Sequence, residues 1–122
     1  MRTYLTETQV ETALKAGKTV ELFLGRATED SEVLRWVDLK WKDKAVVVTC
    51  YEVFDEGNQN FLDLYSFSLV DPDMDFPQDR FGSLSEAIKY LQIQYHLKDF
   101  KFINRGMIQD EYGDLLIKEG KG

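Results

Sequence analysis

The sequence predicts an α+β domain: an N-terminal helix, an antiparallel meander of about four strands, a second helix packed on one sheet face, and a short C-terminal strand or hairpin. Three observations predict it. Apolar residues recur with helical spacing near the N-terminus and again after residue 83. Between residues 20 and 70 the period falls toward two, with β-branched and aromatic residues concentrated there. The breaks between those period-two segments are short, which suits antiparallel neighbours.

The first helix is expected from about Glu7 to Ala16. Thr6 can cap it, and Gln9 stands three residues later in the capping-box position. Leu5 and Val10 have the spacing of a hydrophobic staple, and Val10, Ala13 and Leu14 make one apolar stripe. Gly17 follows where a left-handed residue ends many helices.

A strand follows through Val20, Leu22 and Leu24, ending at Gly25, and the polar segment 27–32 is a loop. The second strand carries Val33, Val37, Leu39 and Trp41 on one face, with Arg35 and Lys40 opposed. Asp43-Lys44 is a tight polar break. Ala45 to Phe54 is the strongest strand signal, because nearly every residue from Val46 onward is β-branched or aromatic. A run so continuous predicts a strand covered on both faces, at least in part. Asp55 to Gln59 supplies turn residues, and Phe61 to Val70 is expected as a further strand with Phe61, Tyr65, Phe67 and Leu69 on one face. Asp71-Pro72 ends the meander, since proline lacks a ladder donor and restrains its predecessor. Residues 72–82 are expected to be irregular.

Ser83 opens the second helix, with Glu86 three residues on and Leu84, Ala87, Ile88, Leu91 and Tyr95 along one stripe. Lys101 to Asn104 reads as a short strand. Two readings compete for 107–117. Ile108, Tyr112, Leu115 and Leu116 fit a helix, whereas Tyr112-Gly113-Asp114 fits the turn of a hairpin. A glycine costs a helix about 1 kcal/mol relative to alanine, so the sequence-based expectation is a hairpin or extended segment.

At 122 residues, with 43% hydrophobic and 13% aromatic residues, the chain is expected to form one packed domain over 1–122. No apolar run is long enough to span a bilayer, and the first residues lack the apolar stretch of a signal peptide. Cys50 is the only cysteine and His96 the only histidine. That excludes an internal disulfide and cysteine-cluster metal sites. Any catalytic triad would have to use His96, whose place at the end of a helix suits a cap. Cys50 lies among Val46, Val47, Val48 and Tyr51, a setting for a small inert buried group. No phosphate loop, dinucleotide fingerprint or zinc-protease motif occurs. The expectation is a cytoplasmic protein that is not an enzyme and needs no cofactor.

Charge is distributed unevenly. No lysine, arginine or histidine occurs between Lys44 and Arg80, while Glu52, Asp55, Glu56, Asp63, Asp71, Asp73, Asp75 and Asp79 fall within that gap. From Glu52 to Arg80 the net charge is -7, equal to the formal charge of the whole chain. Such a field excludes general binding to phosphate backbones and predicts a basic partner. Asp71, Asp73, Asp75 and Asp79 take positions 1, 3, 5 and 9 of a calcium loop, but Phe76 and Gly82 stand where its turn glycine and chelating glutamate belong, so no metal site of that type is expected.

The functional expectation is therefore a non-catalytic protein-binding module of inhibitor, immunity or regulatory type. It would dock a basic protein through Asp55, Glu56, Asp71, Asp73, Asp75 and Asp79, with no nucleic acid and no membrane involved. The alternative is a small-molecule or metal-ion binding domain using a cleft beside residues 71–82.

Overall fold

The computed structural model of the protein describes residues 4–28, 31–70, 78–97 and 100–120. Its described helices are α1 (Glu7–Lys15), α2 (Leu84–Tyr95) and α3 (Ile108–Lys118). The strands are β1 (Val20–Arg26), β2 (Val33–Lys42), β3 (Ala45–Phe54), β4 (Gln78–Phe81) and β5 (Ile103–Asn104). They form one antiparallel sheet in the order β4-β3-β2-β1-β5. The fold is α+β, as the sequence predicts.

Local chemistry explains the elements. The Thr6 hydroxyl accepts from Gln9 N while Gln9 Oε1 accepts from Thr6 N, so the capping box of α1 is complete. The Ser83 hydroxyl accepts from Glu86 N and caps α2. At its other end His96 adopts φ 54° and donates its backbone N–H to Gln92 O, which makes it the helix cap. Asp43 and Lys44 have φ of 52° and 62°, the two left-handed residues of a tight hairpin turn between β2 and β3.

The sheet is covered on both faces. On one, α1 and α2 pack Val10, Leu14, Ala87 and Leu91 against Val20, Leu22, Val37, Leu39, Val46 and Val48. On the other, α3 and the segment 58–70 pack Ile108, Tyr112, Leu116, Leu64 and Phe67 against Leu34, Trp36 and Val53. Burial at consecutive positions from Val46 to Thr49 records this double cover.

Four expectations need correction. Phe61–Val70 is not a strand. Its backbone turns through a 3₁₀ segment at Leu64–Ser66 and touches the sheet through the single Val53–Leu69 bridge. Leu64 and Phe67 are both buried at a spacing of three, which a 3₁₀ turn satisfies and a strand does not. The strand beside β3 is instead Gln78–Phe81, within the segment expected to be irregular. Residues 107–117 form a helix rather than a hairpin. Burying Ile108, Tyr112 and Leu116 on one stripe, at about 1.5–3 kcal/mol per large apolar side chain, outweighs the glycine penalty. Finally, Arg35 shares the face of Val37 and Leu39, where its guanidinium lies over the Tyr95 ring. The opposite face carries Leu34, Trp36 and Asp38.

Candidate functional site

Strand alternation places Glu21 of β1 and Asp38 of β2 on the α3 side of the sheet, and the two are direct register partners. Directly opposed residues have Cβ atoms about 4.5–5.5 Å apart. Thr49 of β3 continues the row, opposite Asp38, and the neighbouring row is Phe23, Trp36 and Tyr51. Glu21 is 0% exposed and Asp38 1% exposed. Acids so deep in a sheet face need partners, because an unpaired buried carboxylate costs several kcal/mol.

Each acid has half of its partners. Tyr65 OH donates to Glu21 Oε1 at 2.5 Å, and Gly106 N donates to the same oxygen at 3.3 Å. Tyr51 OH donates to Asp38 Oδ2 at 2.9 Å. Glu21 Oε2 and Asp38 Oδ1 are buried and have no hydrogen-bond partner among the described residues. Burial is the largest cause raising both carboxyls above the ordinary carboxylate range. The Tyr65 and Gly106 bonds and the Arg105 charge oppose it at Glu21, while Tyr51, Lys40, the Thr49 hydroxyl across the strand pair and the Arg105 charge oppose it at Asp38. Lys40 Nζ stands 4.0 Å from Asp38 Oδ2, with its own side chain about half exposed.

Glu21 lines a pocket of about 350 Å³ whose walls are Trp36, Tyr51, Val53, Tyr65, Phe67, Leu69 and Arg105. That volume lies at the lower end of small-ligand sites, about 300–1,000 Å³. Trp36 stacks on Tyr51 with centroids 5.2 Å apart and meets Tyr65 edge-on at 5.9 Å. The wall opposite the sheet exists because 64–69 leaves the strand pairing that its sequence suggests. The 3₁₀ turn carries Tyr65 over to Glu21, and the Val53–Leu69 bridge closes the side. Gly106, at φ 99°, takes the left-handed turn that aims its N–H at Glu21. Arg105, exposed at the rim, holds its guanidinium carbon 5.1 Å from the Tyr65 ring centroid.

The acids singled out in the sequence are placed differently. Asp55 is half-buried. It accepts from Arg26 Nη2 at 2.8 Å and from the Tyr112 hydroxyl. Burial alone would raise its carboxyl, but Tyr112 and Arg26 outweigh burial and hold it below the ordinary range. Exposed Glu56 accepts from Ser68 N and Oγ, at 2.5 and 2.8 Å. Exposed Asp79 accepts from Tyr90 OH of α2 at 2.9 Å. Asp71, Asp73 and Asp75, and with them most of the calcium-like loop, lie outside the described residues. Asp55 bonds toward α3 and Asp79 toward α2, on opposite sides of the sheet. Val48, the register partner of Asp79, precedes Asp55 by seven residues of chain, about 23 Å at strand rise. The structure does not bring these two together.

Among the described residues no group of three His, Cys, Asp or Glu side chains is placed to hold a metal ion. No described helix is long and apolar enough to cross a membrane. Cys50 is half-buried, and burial raises its thiol. A second cavity of about 240 Å³ beside it has Arg35, Glu52, Asp79, Tyr90 and Tyr95 in its walls.

Sequence reading missed Glu21, Asp38 and Arg105, yet parity contains the signal. Leu34, Trp36 and Asp38 have the same parity, as do Val47, Thr49, Tyr51 and Val53, so that face is as apolar as its opposite. An acid at position 21 or 38 therefore points inward. Comparison of the chain with protein-family models, curated proteins and solved structures gives no match.

Proposed function

We propose that this chain is a non-catalytic binding module for a basic partner, with the acidic stretch 52–79 attracting the partner and the pocket over Glu21 anchoring it. The single observation that carries this reading is the pair of buried carboxylates with one unpartnered oxygen each, one of them lining an aromatic-walled pocket. A buried acceptor without a donor is costly to the free protein, about 1–3 kcal/mol or more. A ligand that supplies N–H donors recovers that energy, so binding is favoured at this point of the surface above others. Aromatic anchors and a charged surround divide the work of an interface in the same way: the desolvated centre sets affinity, and the surrounding field sets the encounter rate.

The charge count supports the class of partner. Net charge -7 concentrated between Glu52 and Arg80 steers cations and repels anions. Tyr65, Phe67 and Leu69 of the same stretch also form part of the pocket wall. An inhibitor, an immunity protein or a regulatory subunit would use such a surface alike. A small-molecule binding domain is the second reading, favoured by the modest pocket volume.

The test is binding of a fluorescent peptide alternating lysine, arginine and glycine, followed by anisotropy at low and high salt. Salt-sensitive binding that Glu21→Gln weakens agrees with the proposal. A peptide that fails to bind, or that binds Glu21→Gln equally, overturns it.

A further inference from the structure

We infer that the pocket takes a single alkyl-guanidinium or alkyl-ammonium head group, and that Arg105 is the chain's own competitor for that place. This deepens the reading above and rests on it for the sign of the ligand's charge.

The hydroxyls of Tyr65 and Tyr51 and the Gly106 N–H already face Glu21 Oε1 and Asp38 Oδ2. What remains unpartnered is acceptor capacity at Glu21 Oε2, on a residue that lines the pocket, and at Asp38 Oδ1 on its register partner in the neighbouring strand. An incoming anion would bring more acceptors to a floor that lacks donors. A metal ion would find two carboxylates and no third ligand of that kind among the described residues. A head group with several N–H donors fits the floor, and its charge compensates that of an ionised carboxylate. The walls suit the rest of such a group. Trp36, Tyr65 and Phe67 offer ring surface to an aliphatic stem, and ring faces attract cations.

Arg105 occupies the same field. Its guanidinium lies over Tyr65 at the rim, and its charge lowers the Glu21 carboxyl against the effect of burial. It reaches no hydrogen bond to Glu21 in the structure; the bonds to Glu21 come from Tyr65 and Gly106. A ligand cation must therefore enter against Arg105, which partly offsets the attraction of the floor. Removing the Arg105 charge should strengthen binding, whereas removing a ligand contact would weaken it.

The charged and titratable groups facing Glu21 are Asp38 on β2, with Lys40 beside it, Tyr51 on β3, Tyr65 on the 3₁₀ turn and Arg105 before α3. A cation binds the ionised carboxylate, while burial favours the protonated one. Binding therefore releases a proton, and affinity rises with pH.

The experiment titrates butylguanidinium and butylammonium into the full chain by calorimetry, with the neutral isosteres butylurea and butanol as controls. ¹H–¹⁵N NMR locates the site, because the Trp36 indole should shift and the Trp41 indole should not. Expected results are binding of the cations about tenfold or more tighter than the isosteres, the worth of one charge-assisted hydrogen bond. Glu21→Gln should lose that preference, Arg105→Gln should tighten binding several-fold, and affinity should rise with pH. A ¹H–¹⁵N spectrum of Glu21→Gln with wild-type dispersion away from the pocket checks that its loss of preference is not a failure to fold. Equal binding of butylurea, or weaker binding by Arg105→Gln, overturns the inference. Glu21-dependent binding of the basic peptide without binding of either small cation also overturns it, and leaves the broader proposal standing. If both small cations bind but the basic peptide does not, the head-group site stands and the protein-partner reading falls.

Discussion

Arg26 and Asp55 tie the end of β1 to the residue that follows β3, with Arg26 Nη2 2.8 Å from Asp55 Oδ2. The same guanidinium holds Glu119 just past α3, at 2.6 Å through Nε and 2.7 Å through Nη2, and Ser31 O at 2.9 Å. Tyr112 of α3 donates to the other Asp55 oxygen. This network seats α3 against the sheet, and α3 helps to form the wall of segment 58–70 that bounds the pocket.

Asp55→Asn should therefore cost stability more than binding. Hydrogen bonds to charged groups contribute about 1.5–3 kcal/mol, and a loss of that order is expected in urea denaturation at neutral pH. The pH sign follows from a folded carboxyl held below its ordinary value. Its contribution is fully present above the ordinary carboxylate pKa of about 4 and is lost as pH falls through the depressed folded value. Wild type and variant should converge in acid. A constant gap down to about pH 2 would show that the contact is not electrostatic.

Glu21→Gln should act with the opposite sign. Burial raises the Glu21 carboxyl, so its contribution is fully present below its ordinary pKa and is lost as pH rises through the folded value. The amide carries no charge to desolvate and still accepts from Tyr65. Neutral-pH stability should rise by about 1–3 kcal/mol, and the decline of stability with rising pH should flatten. A destabilised variant would mean that the carboxylate is well solvated or partnered in solution, and the pocket floor would lose its significance.

The parts of this fold that were legible share one property: their signals are local. The Thr6/Gln9 box, the Ser83 cap, the Asp43-Lys44 turn and the Val46–Phe54 run each specify a structure within a few residues, and each has it. The misread parts depend on what packs against them. Phe61–Val70 has the alternation of a strand, but Leu64 and Phe67 are drawn to Tyr112 and Trp36, partners remote in sequence. Gly113 argued against a helix, yet the α3 stripe is apolar enough to override it. Gln59 Nε2 donates to the Gly113 carbonyl at 2.9 Å and ties the segment before the 3₁₀ turn to α3. The site was hidden for a related reason. An isolated acid within a strand reads as a solvent-facing residue until the second face is seen to be covered, and that cover comes from segments whose own structure was misread.

Gly57→Ala tests that cover. A Cβ at Gly57 would overlap the Phe61 carbonyl oxygen and the Phe67 ring, with the Tyr112 hydroxyl also too close. Overpacking of this kind costs about 1–3 kcal/mol, and the melting temperature should fall accordingly. Ser83→Ala on the far side should cost about 0.5–2 kcal/mol. The discriminating readout is the Trp36 indole NMR signal, which Gly57→Ala should shift and Ser83→Ala should not. An unmoved Trp36 signal in Gly57→Ala would mean that the 58–70 wall does not transmit to the pocket.

The last prediction separates attraction from anchoring. Exposed charges act on encounter at distances up to about a Debye length, roughly 8 Å at physiological ionic strength, whereas desolvated contacts act on residence time. A variant carrying Glu56→Gln, Asp71→Asn, Asp73→Asn, Asp75→Asn and Asp79→Asn keeps the pocket and removes five charges of the acidic stretch. With the basic peptide it should associate more slowly, and its association rate should depend less on salt. Its dissociation rate should stay near that of wild type. Glu21→Gln should do the reverse, dissociating faster while associating at a similar rate, because a carboxyl with 0% exposure adds little to the outside field. Neutralising Glu7 and Glu11 on α1 should change neither rate much, since bases elsewhere in the chain balance the acids outside residues 52–80. Stopped-flow anisotropy at two salt concentrations resolves all four. If the five-charge variant changes only dissociation, the acids contact the partner directly and the stretch is itself the anchor; if it changes neither rate, the acidic stretch has no part in binding.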